Sequence, residues 1–346
     1  MPLTTVQSGM MDSIAQYNSF KNRIINGAMV IDQRNNGAAV TINTTTQNFS
    51  VDRWYGTGES TDGVYTLRQN AGSVTPPVGF TNYLGATVTT ADASIGATQL
   101  YRIEQRIEGF NVSDLGWGTA NAAAVTLSFW VRSSLTGTMG GAIFNADGSR
   151  SYPFTYTISS ANTWEQKSIT IAGDTSGTWL TTNGIGLFIS LSLGAGSSRL
   201  GTAGAWASSF LVGATGQTQI IGTNGATFYI TGVQLEKGVT ATSFDYRPYG
   251  TELSLCQRYY EVFYADSATN GILAGLFSGT TYYAMWQYKQ NKRATPTVAL
   301  ASGASWGSGT PTIYAGVSNS SFGLTGSTFY STATAGNPTL TASAEL

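Results

Sequence analysis

The sequence contains no histidine, a single cysteine and few charges of either sign. Histidine is the usual proton carrier near neutral pH and the commonest metal ligand. Its absence excludes Ser-His-Asp triads, Cys-His pairs and most zinc sites, which leaves carboxylate chemistry as the hydrolytic mechanism to weigh. Cys256, alone in the chain, excludes an internal disulfide and any cysteine-ligated cluster, and is read as a buried thiol. Charged residues make up 10% of the chain, the formal net charge is −1, and there is no Lys/Arg run. Phosphate backbones are bound by basic clusters that release counterions, so nucleic acid is not an expected partner. No run of 18 apolar residues occurs, nor a charged segment leading into an apolar one, so membrane insertion is not expected either.

What is present is a core. Hydrophobic residues make up 41% and aromatics 12% of 346 positions, in a chain long enough for two domains. From Asn22 to Pro248, short alternating runs are separated by Gly, Asn, Asp and Thr clusters, the pattern of antiparallel strands in a sandwich. In Thr126–Arg132, Leu127, Phe129 and Val131 share one face, leaving Trp130 and Arg132 on the other. Ile169 and Ile171 repeat the pattern, and Ile185–Leu193 carries five aliphatic residues at period two with Phe188 facing away from them. In Phe228–Leu235 the apolar parity slips by one, and a β-bulge at Thr231-Gly232 would restore it. The spacing of these runs fits a double-sheet jelly roll over residues 22–248.

The flanks differ. Residues 1–21 lack alternation and are read as an arm, with Met10, Ile14 and Tyr17 at helical spacing. After Pro248 and Gly250, a helical turn is expected over Glu252–Tyr260, capped by Thr251 and linking the sandwich to a second unit. Strand signals at Tyr282–Tyr288, Thr295–Ala299, Thr310–Tyr314 and Leu340–Leu346 make residues 249–346 a short linker helix and a smaller β domain. The fold class is therefore all-β: a jelly-roll β-sandwich, a C-terminal β domain and a short N-terminal arm.

The densest charge cluster is Tyr101–Glu108, where Arg102, Glu104, Arg106 and Glu108 line one face of a strand and Ile103 and Ile107 the other. The charged row is read as an interface, pairing with itself or with a neighbouring subunit. Glycosidases hold two carboxyls about 5–9.5 Å apart. Residues four apart on a strand lie roughly 13 Å apart, and adjacent arginines keep both carboxyls ionised. No catalytic residue is assigned.

Four stretches resemble one family. Phe228–Gly250, Asn22–Asn35, Val51–Trp54 and Leu253–Tyr260 together resemble the carbohydrate-module-like β-sandwich of bacteriophage tail-fibre and head-fibre proteins, across most of residues 22–260. The ending Leu340–Leu346 resembles the termini of many proteins in that group. The resemblance implies a virion-surface subunit: a tail fibre, head fibre or capsid decoration, usually trimeric, contacting other virion proteins through the arm and reaching host polysaccharide. The alternative weighed against it is a tailspike depolymerase, for which no long coil repeat is visible. Carbohydrate modules stack sugars on exposed aromatics, which makes Trp130, Phe188 and Tyr229, each opposite its strand's aliphatic row, and the loop residue Trp117 the expected ligand contacts. Trp54 is read as a core anchor. No cofactor or metal is assigned, since Asp147 and Asp174 sit in turns that explain them without calcium.

Overall fold

The computed structural model describes residues 20–58, 62–263, 275–277, 281–300, 306–307, 310–314, 317–326, 330–331 and 340–346. The chain divides into two compact units, Met1–Val30 with Gly37–Arg247 and Ile31–Asn36 with Pro248–Leu346. A single break near residue 248 is what the sequence suggests, so the excursion of Ile31–Asn36 into the second unit departs from it. Met10, Ile14 and Tyr17 lie outside the described residues.

The first unit is built from β1 (Val40–Ile42), β2 (Asn48–Phe49), β3 (Tyr55–Gly58), β4 (Val64–Gln69), β5 (Leu84–Thr90), β6 (Leu100–Glu108) and β7 (Val125–Ser133). It continues with β8 (Gly137–Phe144), β9 (Ser151–Ile158), β10 (Glu165–Ile171), β11 (Ile185–Ala195), the short β12 (Leu200–Gly201) and β13 (Gly213–Ala214), and β14 (Thr227–Lys237). Two six-stranded sheets result, in the orders β1-β4-β5-β14-β7-β10 and β2-β3-β6-β11-β8-β9. Their pairings are antiparallel, giving the expected sandwich.

Alternation explains the core. Leu127, Phe129 and Val131 of β7 meet Ile103 and Ile107 of β6 and Leu187, Ile189, Leu191 and Leu193 of β11 in one buried cluster. Ile185 was expected in this row, but the register of β11 on β6 shifts between Ile185 and Leu187, which turns Ile185 to the other face beside Phe188. Trp54 is fully buried, and its indole Nε1 donates to the Asn26 carbonyl at 3.1 Å.

The parity slip in β14 is resolved as a bulge. Its register on β7 shifts between Thr231 and Gln234, and Phe228, Ile230, Val233 and Leu235 all reach the core. Gly232 takes φ 61°, and a Cβ there would stand 2.5 Å from the Phe80 ring. Beyond the bulge, β14 no longer pairs with β5. Residues 22–27 take over that edge: Asn22 Oδ1 accepts from the Leu235 amide at 3.1 Å, Arg23 N donates to Leu235 O at 2.9 Å, and Val233 N donates to Gly27 O at 3.0 Å.

In the second unit, α1 (Tyr249–Gln257) precedes β15 (Tyr260–Phe263), β16 (Gly275–Phe277), β17 (Thr281–Gln287), β18 (Thr297–Leu300), β19 (Trp306–Gly307), β20 (Thr312–Tyr314), β21 (Ser321–Gly326), β22 (Tyr330–Ser331) and β23 (Leu340–Ser343). The helix begins earlier than expected, directly after Pro248, whose carbonyl accepts from Glu252 N at 3.1 Å; Thr251 is inside it and caps nothing. Tyr260 already belongs to a strand. The sheets are β15-β23-β18, β16-β17-β21-β20 and β19-β22, so the segment read as a closing strand lies in the middle of its sheet. Phe263, Phe322, Leu324 and Leu340 form the core, and Cys256 is buried. Lys292 Nζ and Glu261 Oε2, both without solvent exposure, pair at 2.6 Å.

Two measurements follow from the first unit. Gly232→Ala forces a side chain into a left-handed backbone against an aromatic ring, and urea unfolding is expected to show a loss of more than about 1 kcal/mol. Glu165 Oε1 accepts from the amides of Ser159 (2.9 Å) and Ser160 (2.8 Å), and its Oε2 from Lys167 Nζ (2.6 Å). The Lys167 ammonium and those amides hold its carboxyl below the ordinary value of 4.5. This contribution to stability is complete above that value and lost as the pH falls through the depressed folded value. Glu165→Gln should therefore flatten the acid limb of a melting-temperature profile; an unchanged limb would assign acid sensitivity elsewhere.

Candidate functional site

Both sheets expose an outer face to be filled, and the chain's own loops cover much of each. On β6, Arg102, Glu104, Arg106 and Glu108 face outward as expected, but β13 packs over β8, β9 and β11 on this side. Arg102 pairs with Glu104 (Nη1 to Oε1 3.0 Å), donates through Nε to Thr57 Oγ1 at 3.0 Å, and lays its guanidinium over Phe144 and Phe210 at 5.6 and 5.2 Å. Arg106 donates to the Tyr55 hydroxyl at 3.0 Å and stacks on Tyr55 and Phe188. Glu104 and Glu108 have exposures of 0% and 1%. Of the two readings of the row, pairing with itself is what Arg102 and Glu104 do, and these two carboxylates are enclosed within their own chain. Burial and the adjoining Glu104 charge push the Tyr55 hydroxyl well above the ordinary phenol range.

The expected sugar-stacking aromatics are mostly enclosed too. Phe188 is 6% exposed and stacks on Phe144 at 4.5 Å with an 18° interplanar angle. Tyr229 is 4% exposed, packed on Tyr83 at 5.2 Å beneath the 70–83 segment, with Arg132 over its ring. The Tyr83 hydroxyl accepts from Val74 N at 2.8 Å and donates to Ala71 O, which fixes that segment over the sheet. Loop burial thus corrects the expectation of open platforms at Phe188 and Tyr229. Trp130 alone of the three is half-buried, on β7 between Gln166 of β10 and Thr231 of β14.

Trp117 has a different setting, at one end of the sandwich. It is 7% exposed, so it is no free platform, but it belongs to a triad with Trp179 and Trp206. Ring centroids are 4.7 Å apart for Trp117 and Trp179, 5.4 Å for Trp117 and Trp206, and 5.5 Å for Trp179 and Trp206, all edge-to-face at 80–81°. Each indole N–H is spent on a backbone carbonyl: Trp117 on Ala123 (2.7 Å), Trp179 on Ser176 (3.0 Å), Trp206 on Ala172 (2.8 Å). The rings are therefore fixed in orientation, and what they offer a ligand is apolar surface. Gly118 N donates to Asp174 O at 2.7 Å, and a Cβ at Gly118 would stand 2.7 Å from Gly177 O, so glycine permits the two Trp-bearing loops to touch.

Behind Trp206 stands a fork. Arg150 Nε and Nη2 bind Asp174 Oδ2 and Oδ1 at 2.7 and 2.8 Å, Nη1 donates to Ser208 at 2.9 Å, and the guanidinium lies over Trp206 at 5.9 Å. The carboxylate raises the Arg150 pKa further above its ordinary value. Asp174 is thus committed to arginine, and Asp147 accepts from Ser149 N at 2.9 Å in a tight turn whose amide lowers its pKa. Among the described residues, no three acidic or cysteine side chains converge as a metal site would require, and no helix is long and apolar enough to cross a membrane.

A cleft opens beside the triad. Its volume is about 150 Å³; Trp117 and Trp179 wall it, Val112, Leu115 and Leu187 form its floor, and Ser113, Thr119 and Thr181 stand at its rim. Leu180 and the 58%-exposed Phe110 extend apolar surface around this end of the sandwich. The sequence pointed to Trp117 and missed Trp179 and Trp206, which lie in Gly/Ser/Thr loops without periodicity. It also missed a second surface cluster, where Phe80, Phe244 and the 58%-exposed Tyr246 meet with centroids 4.9–5.5 Å apart.

No family model matches the chain, and no curated protein matches it. Among solved structures it is similar to the enzymatically active domain of bacteriophage CBA120 tailspike protein 4, at 12% identity and TM-score 0.33, covering 63% of this chain and 21% of that one. It is also similar to a family 11 carbohydrate-binding module of Clostridium thermocellum in complex with a β-1,3-1,4-mixed-linked tetrasaccharide (12% identity, TM-score 0.28, 55% and 91% covered). A third match is the CBM22-1 and GH10 modules of C. thermocellum xylanase 10B complexed with xylohexaose (14% identity, TM-score 0.30, 62% and 31% covered). The chain spans about a fifth of the tailspike domain. Scores at this level carry no function across.

The Arg150 fork supports the triad, and its removal has a signature. Asp174→Ala is expected to release Arg150 and loosen Trp206 against Trp117 and Trp179, so the near-ultraviolet circular dichroism of the coupled indoles should fall while the far-ultraviolet sheet signal persists. An unaltered near-ultraviolet spectrum would mean that the rings are held without the fork.

Proposed function

We propose that the protein is a phage virion-surface subunit, a fibre, spike or capsid-decoration component, that attaches to host glycans and does not cleave them. The observation that carries the reading is the Trp117 and Trp179 cleft, where rigid indoles and hydroxyl-bearing residues meet at the loop end of an all-β sandwich. Sugars present apolar ring faces and hydroxyl edges, and this lining is complementary to both. The resemblance of residues 22–260 to virion fibre sandwiches supports the location, on the surface of the particle, and an assembly of several copies such as a homotrimer joined to other virion proteins.

Binding without turnover is favoured by where the acids lie. Glu104 and Glu108 are enclosed with arginine and tyrosine, and a general acid needs a raised pKa and access to the glycosidic oxygen. A tailspike depolymerase remains the alternative reading, and a reducing-end assay on host polysaccharide distinguishes it by turnover.

The test is a glycan array with the wild-type protein, Trp179→Ala and Trp130→Ala. Loss of roughly tenfold or more in affinity, about 1.4 kcal/mol, is expected for Trp179→Ala and little change for Trp130→Ala. Loss confined to Trp130→Ala would move the site to the outer sheet face. An array with no glycan bound would reject attachment through sugars.

A further inference from the structure

Resting on the reading that the cleft binds glycan, we infer that it receives one terminal, neutral sugar residue through a methyl-bearing substituent, the C6 methyl of a 6-deoxyhexose or the acetamido methyl of an N-acetylhexosamine. Three features carry this. The first is size: a cleft of about 150 Å³ is on the scale of one six-membered ring. The cleft is open at its mouth and closed at its floor by the sandwich core, so the leading edge of a chain end reaches the floor more readily than an internal residue with glycosidic bonds leaving on both sides.

The second is the floor. Val112, Leu115 and Leu187 are at most 7% exposed and belong to the main hydrophobic cluster of the sandwich. The floor side chains offer no hydrogen-bonding group to replace the water lost by a sugar hydroxyl, so a hydroxymethyl group entering first is poorly paired there. A methyl group entering first loses no hydrogen bond and gains apolar contact. The edge-to-face wall of Trp117 and Trp179 continues the apolar lining upward.

The third is charge and rim chemistry. No ionisable side chain lines the cleft. The nearest acid in the sequence, Asp114, is already engaged by Arg23 at 2.9 Å and Lys237 at 3.6 Å. Carboxylated or phosphorylated sugars therefore find no counter-charge here. At the mouth, Ser113 Oγ donates to Phe110 O at 3.2 Å and Thr119 Oγ1 to Gly116 O at 2.6 Å. Their donors are spent inward, and Thr119 Oγ1 also accepts from Asn121 N at 3.2 Å, so each oxygen keeps acceptor capacity for a hydroxyl on the exposed side of the ring. Methyl in, hydroxyls out is the orientation that satisfies both ends of the cleft.

The experiment uses the full-length protein and two matched pairs of methyl glycosides: 6-deoxygalactose against galactose, and N-acetylglucosamine against glucose. Affinity is read by tryptophan fluorescence, and orientation by saturation-transfer difference NMR on the wild type, which needs no variant. The methyl-bearing member of one pair is expected to bind about tenfold tighter, with its methyl protons receiving the strongest saturation; the pair that discriminates identifies the substituent. Trp179→Ala, checked for its sheet signal by circular dichroism, should lose this preference. Equal affinities within both pairs, strongest saturation on ring protons, or tighter binding of methyl glucuronide would overturn the inference while leaving glycan attachment standing. Failure of every glycoside and of the array would instead reject the attachment reading itself.

Discussion

The last long strand of the sandwich depends on a segment that begins more than two hundred residues earlier. β14 pairs with β5 only from Thr227 to Ile230, and past the Gly232 bulge its open edge is taken by residues 22–27. Asn22 is the joint: its Oδ1 accepts from both Ile24 N and Leu235 N, and its Nδ2 donates to Val233 O. Arg247, just beyond the strand, returns to the carbonyls of Asn22 and Ile24. A buried strand edge left unpaired costs free energy at every amide. The bulge keeps Val233 and Leu235 in the core, and the initial segment satisfies the backbone that the bulge exposes. This is why residues 22–27 and Phe228–Leu235, at opposite ends of the domain in sequence, form a single structural element.

Period-two patterns were legible because the inner faces of both sheets obey one rule: apolar side chains inward. β7, β10, β11 and β14, the parity slip included, could be read from Leu127, Ile171, Leu191 and Gly232 without coordinates. The outer faces follow no such rule, since a sheet face turned from the core is filled either by water or by loops. Phe188 and Tyr229 have the same position in the pattern as a solvent-exposed aromatic. What distinguishes them is the cross-strand ring of Phe144, itself covered by Phe210, against Phe188 and the ring of Tyr83 against Tyr229, partners 44 and 146 positions away in sequence. Loop packing over those distances leaves no periodic trace. For the same reason Trp179 and Trp206 were invisible as partners of Trp117, since edge-to-face packing requires no spacing in sequence.

Covering both sheet faces has a functional consequence. A sheet surface roofed by its own loops cannot serve as a binding groove, and one patch of accessible apolar surface lies where loops meet at the Trp117 end of the sandwich. There the aromatic rings are held by a hydrogen bond from each indole nitrogen to a backbone carbonyl and by the Arg150 and Asp174 fork behind them. A ligand meeting fixed rings loses less free energy to ordering the protein than one that must organise flexible side chains. The scarcity of charge serves the same end: Arg102, Arg106 and Arg150 lie as flat planes on aromatic rings. They act there as packing material as much as ions.

A rigid site of this size nevertheless has a ceiling. If the cleft takes one sugar ring as proposed, little area is buried and no ionic contact is added, so the affinity of one copy is modest. Two or more copies joined in one assembly convert each later contact into an intramolecular event and raise avidity by orders of magnitude without a new contact. The gain requires that the copies present their clefts in fixed register, which a β-sandwich with loops packed onto its sheets supplies and a flexible tether would forfeit. On the proposed reading, weak single-site recognition and stiff, multiple presentation are two halves of one physical requirement, one that the braced tryptophans and the economy of charge suit.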